Sequence, residues 1–215
     1  MPNKYMGSGL DSFVWQAEQG LGDAFRLLNE MADCQACPLR RGRHKVVPGQ
    51  WSARPSDSLV RTVMFIGEAP GEQEDQEGMP FVGRGGQLLR RMIKFFGFES
   101  FYITNVVKCR PPDNRNPTAQ EIQACNLFLK RQIKLVRPKI ICAVGKFAAQ
   151  TLLGTDRPIT ELRGRVYAFT LPDGTAIPLV PTFHPAYALR NPKQTGKILL
   201  DFQTIHAMEV QYVQR

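Results

Sequence analysis

Long apolar runs are missing from this 215-residue chain. No stretch approaches the ~18–20 apolar residues that a membrane-spanning helix requires, so no membrane partner is expected. The opening MPNKYMGSGLDSF lacks the charged-then-apolar order of an export signal, and an intracellular, cytoplasmic location is expected. Acidic residues are scarce: 19 Asp and Glu stand against 28 Lys and Arg, a net charge of +9, which favours a polyanionic partner because neutralised phosphates release counterions. Cysteine is sparse and odd in number, five in all, which argues against a disulfide framework. Neither a G-x-G-x-x-G nor a Walker pattern occurs, which weakens a nucleotide-binding reading, and internal repeats and low-complexity tracts are absent. What remains, 43% apolar and 22% charged, is the composition of an ordinary globular protein.

Strands and helices alternate along the chain. Residues 11 to 33 place Phe13, Val14, Leu21, Ala24, Phe25, Leu28 and Met31 at roughly helical intervals, predicting a helix despite Gly20 and Gly22. RTVMFIGEA contains a buried strand over 63–66, and the acidic segment after Ile66 reads as a loop. GQLLRRMIKFFGF sets Leu88, Leu89, Met92, Phe95 and Phe96 on one helical face, with Gly97 closing it. FYITNVV is a second strand. Thr118 with Glu121 three residues later forms a capping box for a helix that stops before Pro138. KIICAVG is a third strand, two β-rich runs flank Pro172-Asp173-Gly174 as a hairpin, and a last helix spans about 194–210. This order predicts a single three-layer α/β/α domain with a central, mostly parallel four-stranded sheet, preceded by an N-terminal extension and helix over residues 1–33. Ligands of such sheets sit beyond the carboxyl ends of the strands, which gathers the segments after Ile66 and Asn105 and the loop of His184 around one cleft.

Two features carry chemistry. Cys34 and Cys37 form a C-x2-C pair, and Cys109 and Cys125 add two more thiols, a set that suits zinc or an iron-sulfur cluster; spacing does not separate the two, and the bland alternative is that Cys109 and Cys125 are small core residues. Cys142 sits inside an apolar strand and reads as core packing. The second feature is FIGEAPGEQEDQEGMPFVGRGGQLL, where Glu68, Glu72, Glu74, Asp75 and Glu77 crowd into a basic chain.

Six segments in order, CQACPL, GEAPGEQED, GMPFVGRGG, TNVVKCRPPDNRNPT, ACNLFL and TFHPAYALR, resemble the family 4, iron-sulfur group of the uracil-DNA glycosylase superfamily. The resemblance runs from about Cys34 to the end. It implies a 4Fe-4S cluster on Cys34, Cys37, Cys109 and Cys125, structural rather than redox-catalytic, pinning the Pro-rich RPPDNRNP segment. It also implies a monomeric, monofunctional enzyme that flips uracil out of single- or double-stranded DNA and hydrolyses its N-glycosidic bond. The alternative is a non-catalytic iron-sulfur DNA-binding module of the same fold. Nothing in the sequence marks a protein partner such as a sliding clamp.

Matched onto this chain, the family's stacking aromatic falls on Phe81 and its base-reading amide on Asn105, which donates to O4 and accepts from N3–H of uracil. His184 matches the group that stabilises charge at O2. Glu68 is the first candidate to activate water or to face the cationic sugar, with Glu74 and Asp75 behind it and Glu74 also placed at the C5 edge of the base. Gly67, Glu68 and Ala69 are expected to line the base through their backbone; Ala69 stands where better-known members carry Asp or Asn. Leu189 is the expected wedge, with Arg190, Arg84, Lys108, Arg110, Arg115 and Lys146 as phosphate contacts. His44 and His206 receive no catalytic role, although His44 sits in a basic segment that could touch DNA.

Overall fold

The structure, a computed structural model, describes residues 18–52 and 63–213. Phe13 and Val14 therefore lie outside the described residues. Helix α1 (Glu18–Ala32) leads, by way of the first two cysteines, to edge strand β1 (Gln50–Trp51). The alternating part follows: β2 (Val63–Gly67), α2 (Glu72–Glu77), α3 (Arg84–Phe95), β3 (Phe101–Asn105), α4 (Ala119–Val136), β4 (Ile140–Val144), α5 (Lys146–Leu153) and α6 (Ile159–Leu162). β5 (Tyr167–Thr170), β6 (Ala176–Thr182), α7 (Pro185–Arg190) and α8 (Thr195–Val213) complete the chain.

Six strands form one sheet in the order β1-β3-β2-β4-β6-β5. The inner four, β3, β2, β4 and β6, are all parallel, and an antiparallel strand closes each edge. The expected four-stranded parallel core is present; the sheet is wider because the first hairpin run pairs at one edge and Gln50–Trp51 at the other. Two residues are too short a stretch to show the alternation that marks a strand.

Period-two alternation divides the core. Met64, Ile66, Tyr102, Ile141 and Ala143 face α1 and α4, where Leu27, Met31, Leu129 and Ile133 meet them. Val63, Phe65, Ile103, Cys142 and Val180 face α3 and α8, where Leu89, Met92, Ile93, Ile198 and Phe202 fill the other layer. Cys142 is fully buried, as expected of packing. The helical face forecast for α3 needs one correction, since Phe95 is 78% exposed and Ile93 takes the buried position. In α1, Leu27 rather than Phe25 points inward. The acidic segment forecast as a loop contains the one-and-a-half-turn helix α2.

β2 lies between β3 and β4, so the chain winds outward from it in both directions. In sheets of this kind such a divergence marks where ligands bind, here the carboxyl end of β2 at Gly67 and Glu68.

Candidate active site and cysteine pocket

Gly67 and Asn105 are register partners at the ends of β2 and β3. A Cβ on Gly67 would lie 2.4 Å from Asn105 Oδ1 and 2.4 Å from Phe81 Cζ, so the absent side chain lets the amide and the ring meet. Asn105 is 2% exposed, and no hydrogen bond from its side-chain amide reaches another described residue. The Phe81 ring stacks on the His184 imidazole, centroids 6.0 Å apart and planes 23° from parallel. A flat ring, a buried amide and an imidazole thus converge on one spot.

Phe81 adopts φ +56°, a left-handed conformation uncommon for a bulky residue. Two side chains hold it there. Glu74 accepts from the backbone N–H groups of Val82 (2.9 Å) and Gly83 (2.7 Å) with Oε1 and from Gly71 (3.1 Å) with Oε2. Arg90 donates to the carbonyls of Phe81 (2.9 Å) and Pro80 (2.7 Å). Gly86 lies against the Phe81 backbone, where an added Cβ would come within 2.1 Å.

His184 caps α7, its Nδ1 accepting from the Ala186 N–H at 3.1 Å. Because Nδ1 accepts, the ring proton sits on Nε2. Burial lowers the His184 pKa to about 4, Arg190 adds to the shift and Glu74 opposes it, so the imidazole is a neutral donor at physiological pH. Gly145, at φ +97°, passes beside the ring. Behind it, buried Thr182 donates to Asp201 (2.7 Å), which also binds Arg163, tying β6 to α8. Neither Gly145 nor this network was legible beforehand; a Gly after the apolar strand was the only available hint.

Glu68 is half-buried, and burial pushes its pKa up to about 7, with Lys146 pulling the other way. Ala69 is partly buried beside it.

Four assignments made from sequence change. Glu74 has its carboxylate taken up by three backbone N–H groups, which leaves it supporting the Phe81 loop rather than facing the C5 edge. Asp75 is fully buried and its carboxylate is taken up by the backbone N–H (3.0 Å) and Nδ1 (2.7 Å) of His44. Lys108 is 1% exposed and unable to touch a phosphate. Arg115 forms a bidentate pair with buried Glu121 (2.9 and 2.7 Å) that restrains the segment before α4. The other basic candidates stay at the surface: Arg84 begins α3, Lys146 begins α5, Arg190 ends α7, and Arg110 approaches Glu72 at 3.8 Å. Leu189, 39% exposed, projects from α7, whose first turn packs on Gly85 of α3.

Cys34, Cys37, Cys109 and Cys125 line one pocket with Met31, Arg43, Val46, Lys108 and Phe128. Donors reach the sulfurs, Arg43 to Cys109 (3.3 Å) and the Ala36 N–H to Cys34 (3.5 Å). Burial raises the Cys125 pKa to about 11, so thiolates there require a cationic guest. Four sulfurs around one apolar cavity with N–H donors fit a thiolate-bound group, an iron-sulfur cluster or a zinc ion.

Residues 58–203 match the family model described as the uracil DNA glycosylase superfamily. The type-4 uracil-DNA glycosylase of Sulfurisphaera tokodaii is 40% identical over 192 residues, 86% of this chain and 84% of that protein. That of Thermotoga maritima is 44% identical over 161 residues, 74% of this chain and 79% of the relative, and that of Archaeoglobus fulgidus 36% over 185 residues, 83% and 89%. The chain belongs to the uracil DNA glycosylase superfamily and, within it, to the type-4 uracil-DNA glycosylases.

Proposed function

We propose that this chain excises uracil from DNA, single- or double-stranded, and leaves an abasic site. The observation that carries this reading is the gap at Gly67, which brings the unclaimed Asn105 amide and the Phe81 ring together beside a neutral His184. The flipped base stacks on Phe81, and the Asn105 amide pairs with O4 and N3–H. Cytosine, a donor at position 4, leaves that amide mispaired. As the C1′–N1 bond breaks, charge accumulates on uracil, and the Nε2–H of His184 donates to O2 without carrying its own charge into the ground state. Glu68, with a pKa near 7, takes a proton from the water whose oxygen bonds to C1′. Leu189 fills the vacated stack, and Arg84, Lys146 and Arg190 meet phosphates. Cys34, Cys37, Cys109 and Cys125 would hold a 4Fe-4S cluster, whose contribution is a structural cross-link between the segment after α1 and the two ends of the 109–125 segment.

The test is anaerobically purified protein incubated with a labelled duplex holding one uracil, then alkali, with a thymine duplex and the Asn105→Ala variant as controls. Strand breakage only at uracil, lost in Asn105→Ala with cluster absorbance unchanged, is the expected result. DNA binding without breakage by the cluster-loaded wild type would sink the enzymatic reading in favour of a non-catalytic module.

A further inference from the structure

Among the described residues Lys108 alone of the lysines and arginines is buried, at 1% exposure. Its ammonium donates to Thr104 Oγ1 (2.9 Å) and to the backbone carbonyl of Asn105. Thr104 Oγ1 in turn donates to the Pro48 carbonyl (2.8 Å), which Gln132 Nε2 also binds (2.6 Å). Three residues beyond the reader, the chain therefore doubles back and grips the end of β3 from beneath.

Both partners of that ammonium are neutral, and no carboxylate pairs with it among the described residues. A buried cation without an opposite charge is strongly disfavoured. Among the described residues, the opposite charge available to it lies in the pocket that Lys108 lines together with all four candidate ligand cysteines. The Lys108 backbone N–H faces the Cys125 sulfur. One residue thus touches the sulfur shell with its main chain and the base reader with its side chain.

We infer that Lys108 is a positioning residue for base reading: its main chain borders the cysteine pocket and its ammonium holds the Asn105 carbonyl, so that the negative charge of a cluster in that pocket compensates the buried cation and keeps the reader in register. This rests on the reading above, that Asn105 recognises uracil and that the four cysteines carry the cluster. Emptying the cysteine pocket would leave Lys108 uncompensated, and the carboxyl end of β3 would lose its hold before the fold itself fails. A staple that merely joined two segments would not act on specificity in this way.

The experiment uses the full chain, purified anaerobically as wild type, Lys108→Met and Thr104→Val. For each, iron content and absorbance near 400 nm count the loaded fraction, voltammetry gives the cluster potential, and single-turnover excision is measured at saturating uracil duplex. In Lys108→Met the potential is expected to move to more negative values, because a nearby positive charge that favours the reduced cluster is gone. Excision per loaded protein is expected to fall ~10–100-fold with duplex affinity unchanged, the scale of a misplaced positioning group. Thr104→Val keeps the charge and loses one anchor, so its potential should stay and its rate drop several-fold. A loaded Lys108→Met fraction with wild-type rate, or with an unmoved potential, overturns the inference. Should Lys108→Met not accumulate, a wild-type rate in Thr104→Val overturns it alone. Loaded wild type that excises nothing would instead defeat the functional reading, and the Lys108→Met potential would still report on the contact.

Discussion

The turn just after β2 and the helix α2, close together in the chain, carry carboxylates that look alike in the sequence and differ in what surrounds them. Glu74 and Asp75 have their oxygens taken up by hydrogen bonds, from Gly71, Val82 and Gly83 in one case and from His44 in the other. Glu68 is half-buried with only the charge of Lys146 to offset desolvation, and its pKa climbs to about 7. The histidines repeat the contrast: His44 leans on Asp75 with most of its ring in solvent, whereas His184 is held neutral by burial. A polar group whose capacity is filled holds the fold, and one left partly desolvated and unfilled is available for chemistry.

Replacing Glu68 tests that division most severely. Glu68→Gln should lower single-turnover excision ~10²–10⁴-fold, the range for losing a general base, with duplex affinity retained. In wild type the rate should rise with pH and level off above about 7, as the carboxyl ionises, whereas Glu68→Gln should be flat there. Stability should move oppositely. The folded pKa, about 7, exceeds the ordinary 4.5, so folding favours the protonated form and stability is lost as pH rises from 4.5 through 7. Glu68→Gln should thus unfold later than wild type at pH 8, by about 1–2 kcal/mol after allowance for the solvent screening a half-buried group, and equally at pH 4. A variant that is fast at pH 8 would move the water-activating role elsewhere.

The α2 carboxylates should respond less in rate and more in stability. Glu74→Ala leaves three N–H groups without their acceptor and frees the left-handed Phe81. We expect a destabilisation of about 1–3 kcal/mol and a rate loss of ~10–100-fold, from misplacement of the stacking ring. Asp75→Ala should cost a similar amount in urea unfolding yet change the rate of the folded protein by no more than about threefold, since its bonds go to His44. Equal rate losses in the two variants would erase the distinction drawn between them.

That distinction could not be read from the sequence, and the reason is physical. Periodicity reports which face of a strand or helix is apolar, which is why the parallel strands, the Thr118 cap and the buried Cys142 were legible. Whether a polar side chain is spent internally depends on backbone N–H groups brought to it from elsewhere, nine residues away for Gly83 and Glu74, thirty-one for His44 and Asp75. Lys108 misled for the same cause: in TNVVKCR it looks like a cation beside a loop, and only the turn after β3 carries it inward. The residues that converge, Gly67, Phe81, Asn105 and His184, were legible through the family's motifs rather than through any local pattern. Gly145, Arg90 and the Asp201–Arg163 pair, which position them, carry no motif.

The finest test of the contrast leaves the carboxylates intact. Lys146 stands at the start of α5, exposed, and its charge is what restrains the upward shift at Glu68. Lys146→Ala should therefore raise the Glu68 pKa further and displace the rising limb of the rate profile to higher pH. Because the cation is in solvent, the displacement should be about half a unit or less at low salt and shrink at ~0.5 M salt, where the Debye length falls to a few ångströms. Titrating the carboxyl carbon of Glu68 by NMR in the free protein separates this effect from weaker DNA binding, which salt also causes. A shift that persists at high salt would mean that Lys146 acts by packing. A shift toward lower pH would contradict the picture of Glu68 as a carboxylate whose only restraint is a distant positive charge.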